Sequence, residues 1–238
     1  MQSIKKQLSQ SIYDKFLDAV PVWPKHQPSA DFETIRTSGL PWLALDIPVP
    51  VELILNEIHN IQDLLVCHRE SLDQSWGWHS FVVHGKAWDA TREDEHYNDT
   101  RPHAWTDRAM ELMPNTVNYF QTQWPAGSFA RIRIMLLEPG GFINVHKDSE
   151  QSGLGPINIA ITQPDDCNFV MAGHGRVPFT VGQALWLDVS NPHVVRNNSN
   201  QNRFHIIIHQ DFDQRFEKVV EQSYNFMYTN THENLSSR

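Results

Sequence analysis

Apolar positions along this chain change their period near residue 129. Before that point the pattern is mostly helical. Ile4, Leu8, Ile12 and Phe16 recur at a spacing of four, which predicts a helix over residues 4–19 with one narrow packing stripe. Pro21, Pro24 and Pro28 then break the chain into a loop, and Leu40 to Ile47 is an apolar run of strand length. Pro50 opens a second helix whose stripe is Leu53, Ile54, Ile58, Ile61, Leu64 and Leu65. Trp78 to His84 reads as another strand. Residues 85–105 are polar and charged and carry Trp88, Tyr97 and Trp105 without a period. They read either as a substrate-covering lid or as an ordinary surface excursion. Thr106 caps a short helix that runs to Met113-Pro114, with a further turn after Asn115.

From Phe129 the runs become short and β-type. The predicted strands are 129–138, 142–146, 156–162, 167–171, 177–181, 184–188, 193–197 and 203–209, separated by turn signals such as Pro139-Gly140-Gly141, Gly182 and the stretch from Asn197 to Asn202. Short strands at this spacing predict a jelly roll or small barrel. Phe212 to Tyr228 reads as a closing helix, with a frayed tail after Asn230. The expected organisation is one domain over 1–238. Residues 1–128 form a helical and stranded support, 129–210 a β core, and 211–238 a helix and tail, giving a mainly β fold with flanking helices.

A formal charge of −9, a pI near 5.8 and scattered Lys and Arg residues exclude broad nucleic-acid binding. The two cysteines, Cys67 and Cys167, lack a CxxC spacing and read as free thiols in a reducing compartment. No run approaches the roughly 18 apolar residues of a membrane span, and the N-terminus has no apolar signal core. The expected location is cytoplasmic, with no membrane partner, and the sequons at Asn98, Asn197 and Asn234 are then accidental.

Candidate chemistry sits in the second half. In a strand, residues two apart share a face, so His146 and Asp148 can bind one ion while Lys147 points away. His193, in the strand-turn context Asn191-Pro192-His193, is the candidate third ligand. Two imidazoles and one carboxylate leave positions open on the metal, as in non-haem Fe(II) oxygenases, although ligand type alone also suits manganese, cobalt or zinc. Ten residues on, Arg203, His205, Ile207 and His209 share one face of a core strand. A buried arginine needs an anion. That anion is either an internal acid, Asp188 or Glu138, or the distal carboxylate of 2-oxoglutarate in bidentate geometry.

The stretch from Arg131 to Gln210 resembles the aspartyl/asparaginyl β-hydroxylase family, which includes bacterial hydroxylases of free proline. The matching pieces are Glu138-Pro139-Gly140-Gly141, His146-x-Asp148, Trp186-Leu187-Asp188, His193 and Arg203-x-His205, with Gly77-Trp78 a weaker upstream match. The resemblance implies a double-stranded β-helix (jelly roll, cupin-like) that binds Fe(II) and 2-oxoglutarate. His146, Asp148 and His193 would be the metal ligands, and Arg203 would hold the cosubstrate with His205 as a positioning donor. Pro156-Ile157-Asn158 stands where the family usually has Arg-x-His. Asn158 brings a hydrogen bond but no charge, so either Arg133 or Arg131, on one face of strand 129–138, compensates, or cosubstrate binding differs here. Arg133 is then a cosubstrate residue, while Arg131 and Trp78 are substrate residues.

The implied activity is hydroxylation of an amino acid or peptidyl side chain at an unactivated C–H, with molecular oxygen. Trp76, Trp88 and Trp105 are further candidates for a substrate groove. Two competing readings are a cupin-type metalloenzyme that does not use 2-oxoglutarate and a non-catalytic ligand-binding jelly roll.

Overall fold

The computed structural model describes residues 4–69, 75–91 and 101–236, with side chains as far as Thr229. In chain order the elements are α1 (Ile4–Phe16), α2 (Phe32–Arg36), β1 (Trp42–Leu45), and α3 (Val51–Ile58), which runs into a 3-10 helix at His59–Leu64. β2 (Val66–Cys67), β3 (Ser75–Gly85), β4 (Ala104–Trp105), α4 (Asp107–Leu112) and α5 (Pro114–Thr122) follow. Then come β5 (Ser128–His146), β6 (Ile157–Ala160), β7 (Cys167–Met171), β8 (Gly175–Arg176), β9 (Ala184–Leu187), β10 (His193–Asn197), β11 (Arg203–Asp211) and α6 (Gln214–Ser236).

The described strands join one antiparallel sheet in the order β1-β9-β6-β11-β5-β10-β7-β8, with β3 added to β5 and with β2 and β4 added to β3. β5 belongs to both halves of this path. Its first half pairs with β11 and its last residues with β10, while β3 pairs with both parts along the other edge. The strand changes layer at Pro139-Gly140-Gly141. Gly140 has φ 75°, and a side chain on Gly141 would meet the Glu138 carbonyl at 2.8 Å. β3 skips the same residues, jumping from Trp76 opposite Phe142 to Trp78 opposite Leu137. The result is a jelly roll, a double-stranded β-helix with helices packed outside it.

Period-two alternation sorts side chains between two environments. Ile132, Ile134 and Leu136 of β5, with Phe204, Ile206 and Ile208 of β11, are buried in the cluster that also holds Ile54, Ile58, Phe120 and Phe216 of the helices. Each such side chain contributes roughly 1.5–3 kcal/mol by leaving water. Their alternates, Arg131, Arg133 and Met135 on β5 and Arg203, His205, Ile207 and His209 on β11, line an internal cavity. A second apolar cluster, including Leu137, Phe169, Leu185, Leu187 and Val195, fills the rest of the interior.

Several expected elements differ. The predicted strands 129–138 and 142–146 are one continuous strand, because the glycine pair lets the ladder bend instead of ending. Strand 177–181 does not form; Gly175–Arg176 pairs instead. Pro178 has no N–H to give a ladder, and Phe179 N–H turns back to the Val177 carbonyl at 2.9 Å. On α1 the outer part of the stripe is exposed, with Ile4 at 84% and Leu8 at 52%, and the contact is made by buried Ser9 and Tyr13 with the stripe residues Ile12 and Phe16. Tyr13 packs on Val170 and Val194, so α1 leans on the sheet near its C-terminal end. Of the expected lid, residues 92–100 lie outside the described residues. Trp88 and Trp105 pack against the outer core, which removes them from any groove. Cys67 and Cys167 are free thiols. Asn197 is fully buried, and its amide donates to the Leu137 and Gln201 carbonyls. No helix among the described residues is long and apolar enough to cross a membrane.

Glu57, buried at the end of α3, holds the start of α5. Its carboxylate accepts from the N–H groups of Asn115 and Thr116 and from both of their side chains at 2.7–2.9 Å. A negative charge at a helix N-terminus meets both orphan donors and the macrodipole. Replacing Glu57 by Ala is expected to lower unfolding free energy by roughly 2–3 kcal/mol, since hydrogen bonds to a buried charge are lost. Urea unfolding of the purified variant measures it, and a change within 0.5 kcal/mol of zero would exclude this capping role.

Candidate active site

Strand pairing builds the core of the site. His146 is the last residue of β5 and His193 the first of β10, and the two are register partners across the ladder. Their rings meet at 4.2 Å between centroids. Asp148 lies just past the strand end, fixed by its N–H donating to the Val189 carbonyl at 3.0 Å. Its Oδ2 lies 3.7 Å from His146 Nε2 and 3.8 Å from His193 Nε2. One donor atom from each residue falls within 4.8 Å of the others. Lys147 points into solvent, as a two-residue repeat requires.

The donor atoms are arranged to face one point. His146 Nδ1 donates to its own strand's Asn144 carbonyl at 2.7 Å, and His193 Nδ1 to Asn191 at 2.9 Å. With Nδ1 carrying the proton, each Nε2 presents a lone pair inward, the second-sphere arrangement common to metal-ligating histidines. Burial, followed by the neighbouring His193, pushes His146 down to about 4, while Asp148 pulls the other way. Burial likewise lowers His193, whose ring stacks on Phe169 at 4.9 Å. Both rings are therefore neutral at pH 7. Neutral imidazoles and a carboxylate are a donor set that fits Fe(II) or another first-row divalent ion.

Arg203 forms the second element. It is 5% exposed and pairs with neither of the expected internal acids. Asp188 accepts from Ser152 and Ser190, and Glu138 lies 3.3 Å from His79. Instead the guanidinium lies 5.5 Å from the Phe179 ring centroid and donates to His205 Nδ1 at 2.9 Å, while its Nε has no hydrogen-bond partner. Arginine has no acceptor, so His205 Nδ1 must be the acceptor and Nε2 bears the hydrogen, donating to Gln163 Oε1 at 3.0 Å. Burial, and then the Arg203 charge, hold His205 well below the ordinary imidazole range. A buried cation without a carboxylate among the described residues is costly. This one is built to receive an anion.

The candidate metal, cosubstrate and substrate residues His146, Asp148, His193, Arg203, His205, Asn158, Arg133, Arg131 and Trp78 line one cavity of about 200 Å³. Asn158, Ile207 and Arg133 form one row across β6, β11 and β5. An arginine thus stands in the same row as Asn158. Trp76 is 59% exposed and does not enter the cavity. Sequence reasoning missed four contributors. Phe179 and Gln163 hold the Arg203–His205 pair, Phe169 stacks on His193, and Arg69 reaches Asp148 Oδ1 at 3.5 Å. Arg69 has φ 57°, the one positive value at a non-glycine residue among those described. Such a conformation costs about 1–3 kcal/mol and persists only when neighbours enforce it. Nothing in its local pattern marks Arg69, because its partner lies 79 residues away and on another layer.

The family model for aspartyl/asparaginyl β-hydroxylases matches residues 51–212, more than half of the chain and every side chain of the cavity. The chain belongs to the aspartyl/asparaginyl β-hydroxylase family. The family is one of hydroxylases.

Similar solved structures include a prolyl-4-hydroxylase from Pseudomonas putida, 14% identical over 79% of this chain and 100% of that one, with a TM-score of 0.41. A prolyl hydroxylase from Trichoplax adhaerens, in complex with a hypoxia-inducible factor peptide fragment, is 12% identical over 79% and 90%, with a TM-score of 0.46. A non-haem α-ketoglutarate-dependent carbocyclase of nogalamycin biosynthesis is 13% identical over 80% and 87%, with a TM-score of 0.44. No curated protein gives a significant match.

Replacing His146 or His193 by Ala is expected to remove stoichiometric binding of cobalt(II), the oxidation-resistant stand-in for iron. Titration of the visible cobalt band at pH 7 measures this. Full-strength binding by either variant would remove that residue from the ligand set.

Proposed function

We propose that the chain is an Fe(II)- and 2-oxoglutarate-dependent dioxygenase that hydroxylates an amino acid or a peptidyl side chain at an unactivated C–H. One observation carries this reading: a His-Asp-His cluster and a buried arginine without an acid partner share the wall of one small cavity. A simple metal-binding protein needs no such arginine, and an anion site alone needs no inward-facing histidine pair.

In this reading His146, Asp148 and His193 hold the metal, leaving positions open on it for cosubstrate and oxygen. Bound iron, with 2-oxoglutarate and molecular oxygen, supplies the oxidising power for C–H hydroxylation. The residues supply placement. Arg203 takes the far carboxylate of 2-oxoglutarate through its fork. His205, with its lone pair committed to Arg203 and its proton to Gln163, fixes that fork and is no proton carrier. Asn158 and Arg133 extend the same polar row, and Arg131 and Trp78 face the substrate. Four arginines and one carboxylate line the cavity, although the chain carries a net charge of −9. Such a lining selects small anionic guests and disfavours polyanions, which the outer charge repels.

The test is a screen of free amino acids and short peptides for succinate release, with product mass checked for one added oxygen. Metal-dependent turnover without succinate would replace this reading by a cupin-type enzyme. An Arg203→Ala variant is expected to raise the KM for 2-oxoglutarate roughly 30- to 1,000-fold, the effect of losing about 2–4 kcal/mol from a desolvated charge pair. Steady-state kinetics at saturating substrate check it, and an unchanged KM would end the role of Arg203 as the clamp.

A further inference from the structure

Arg69 lines the same cavity as the metal cluster, yet the proposed reaction leaves it without a role. Its position is enforced from several sides. The Ser75 hydroxyl lies 3.0 Å from the His68 carbonyl and 2.9 Å from that of Arg69, pinning the left-handed turn. His68 is buried, its N–H donating to the Trp78 carbonyl at 2.7 Å, its ring edge-on to Trp78 at 4.4 Å and its Nδ1 3.1 Å from Ser80 Oγ. The Arg69 guanidinium lies over the Trp78 ring at 5.7 Å and is 15% exposed. A strained, braced backbone therefore holds one cation at one place beside the candidate metal ligands.

The only acid that reaches it among the described residues is Asp148, at 3.5 Å. That carboxylate turns its other oxygen to the two histidines. A divalent ion held there takes up the Asp148 charge and adds positive charge next to Arg69. A mostly buried guanidinium then requires a second anion. The distal carboxylate of 2-oxoglutarate is not that anion, because Arg203 on β11 is placed for it without any competing acid.

Resting on the oxygenase reading above, we propose that Arg69 docks the free carboxylate of the substrate, so that the substrate is an amino acid, or a chain end, carrying its carboxylate close to the hydroxylated carbon. Trp78 supports the guanidinium from below and gives the docked carboxylate a dry floor, which strengthens the pair. An internal residue of a polypeptide, whose carboxyl is tied up in an amide, lacks the anion that this position takes.

The test compares the twenty common amino acids as free acids and as α-carboxamides in the succinate assay, with wild-type protein and with Arg69→Gln and Arg69→Lys. Calorimetric titration of the accepted free acid into the cobalt(II)- and 2-oxoglutarate-loaded protein gives affinity without turnover. The expected result is succinate with free acids and none with carboxamides. Arg69→Gln should weaken binding of the free acid roughly 30-fold or more. Arg69→Lys should recover part of that loss, and both variants should keep the wild-type cobalt titration and melting temperature. Equal turnover of acids and carboxamides would overturn the docking role. A loss of cobalt affinity with unchanged binding of the free acid would overturn it too, leaving Arg69 to steady Asp148 alone. Succinate from no compound at all would instead remove the oxygenase reading, and this inference with it.

Discussion

The pairing of β5 on both edges is the constraint from which the rest of this structure follows. One strand of 19 residues pairs with β3 along one edge and with β11 and then β10 along the other. Because backbone hydrogen bonds fix register, the layer change at Gly140-Gly141 sets where the strand ends. That end places His146 directly opposite His193. A slip of one residue would turn both the apolar row of Ile132, Ile134 and Leu136 and the polar row of Arg131, Arg133 and Met135 to the wrong face. Burial of the apolar row under the helices therefore holds the chemistry of the polar row in place.

The interior is polar only in a restricted way. Each histidine of the cluster has its outer nitrogen satisfied by a backbone carbonyl two residues back, and the His205 ring is satisfied at both nitrogens. Both Nε2 atoms, an Asp148 oxygen and Arg203, whose Nε has no hydrogen-bond partner, are turned toward the cavity. Buried polar groups without partners are expensive, so a fold keeps them where a ligand returns the interaction. The cavity thus sets a cation-type donor cluster and a buried guanidinium side by side, the arrangement on which the proposed function rests.

Two places where regular structure fails serve the same pocket. Pro178 ends the ladder that the apolar run from Val177 to Val181 would otherwise form, and the released Phe179 comes to lie beneath Arg203. The left-handed turn at Arg69 ends the short β2 side of the sheet and sends its guanidinium to Asp148. In both cases a residue that departs from strand geometry supports a charge that strand geometry alone does not reach.

Much of the site was legible in the residues themselves. Alternation put Arg131 and Arg133 on one face of strand 129–138, and Arg203, His205 and His209 on one face of strand 203–209, because a strand's side-chain period is two whatever its partners are. The spacing of His146 and Asp148 carried the same kind of local information, and Thr106 and Pro50 marked helix starts by their own chemistry. Tertiary structure decided the rest, for a physical reason. Which strand ends meet, whether Asp188 or Glu138 reaches Arg203, and whether Arg69 is surface or site depend on contacts between residues tens of positions apart. No local pattern encodes those contacts, and only closure of the two layers around one cavity brings them about.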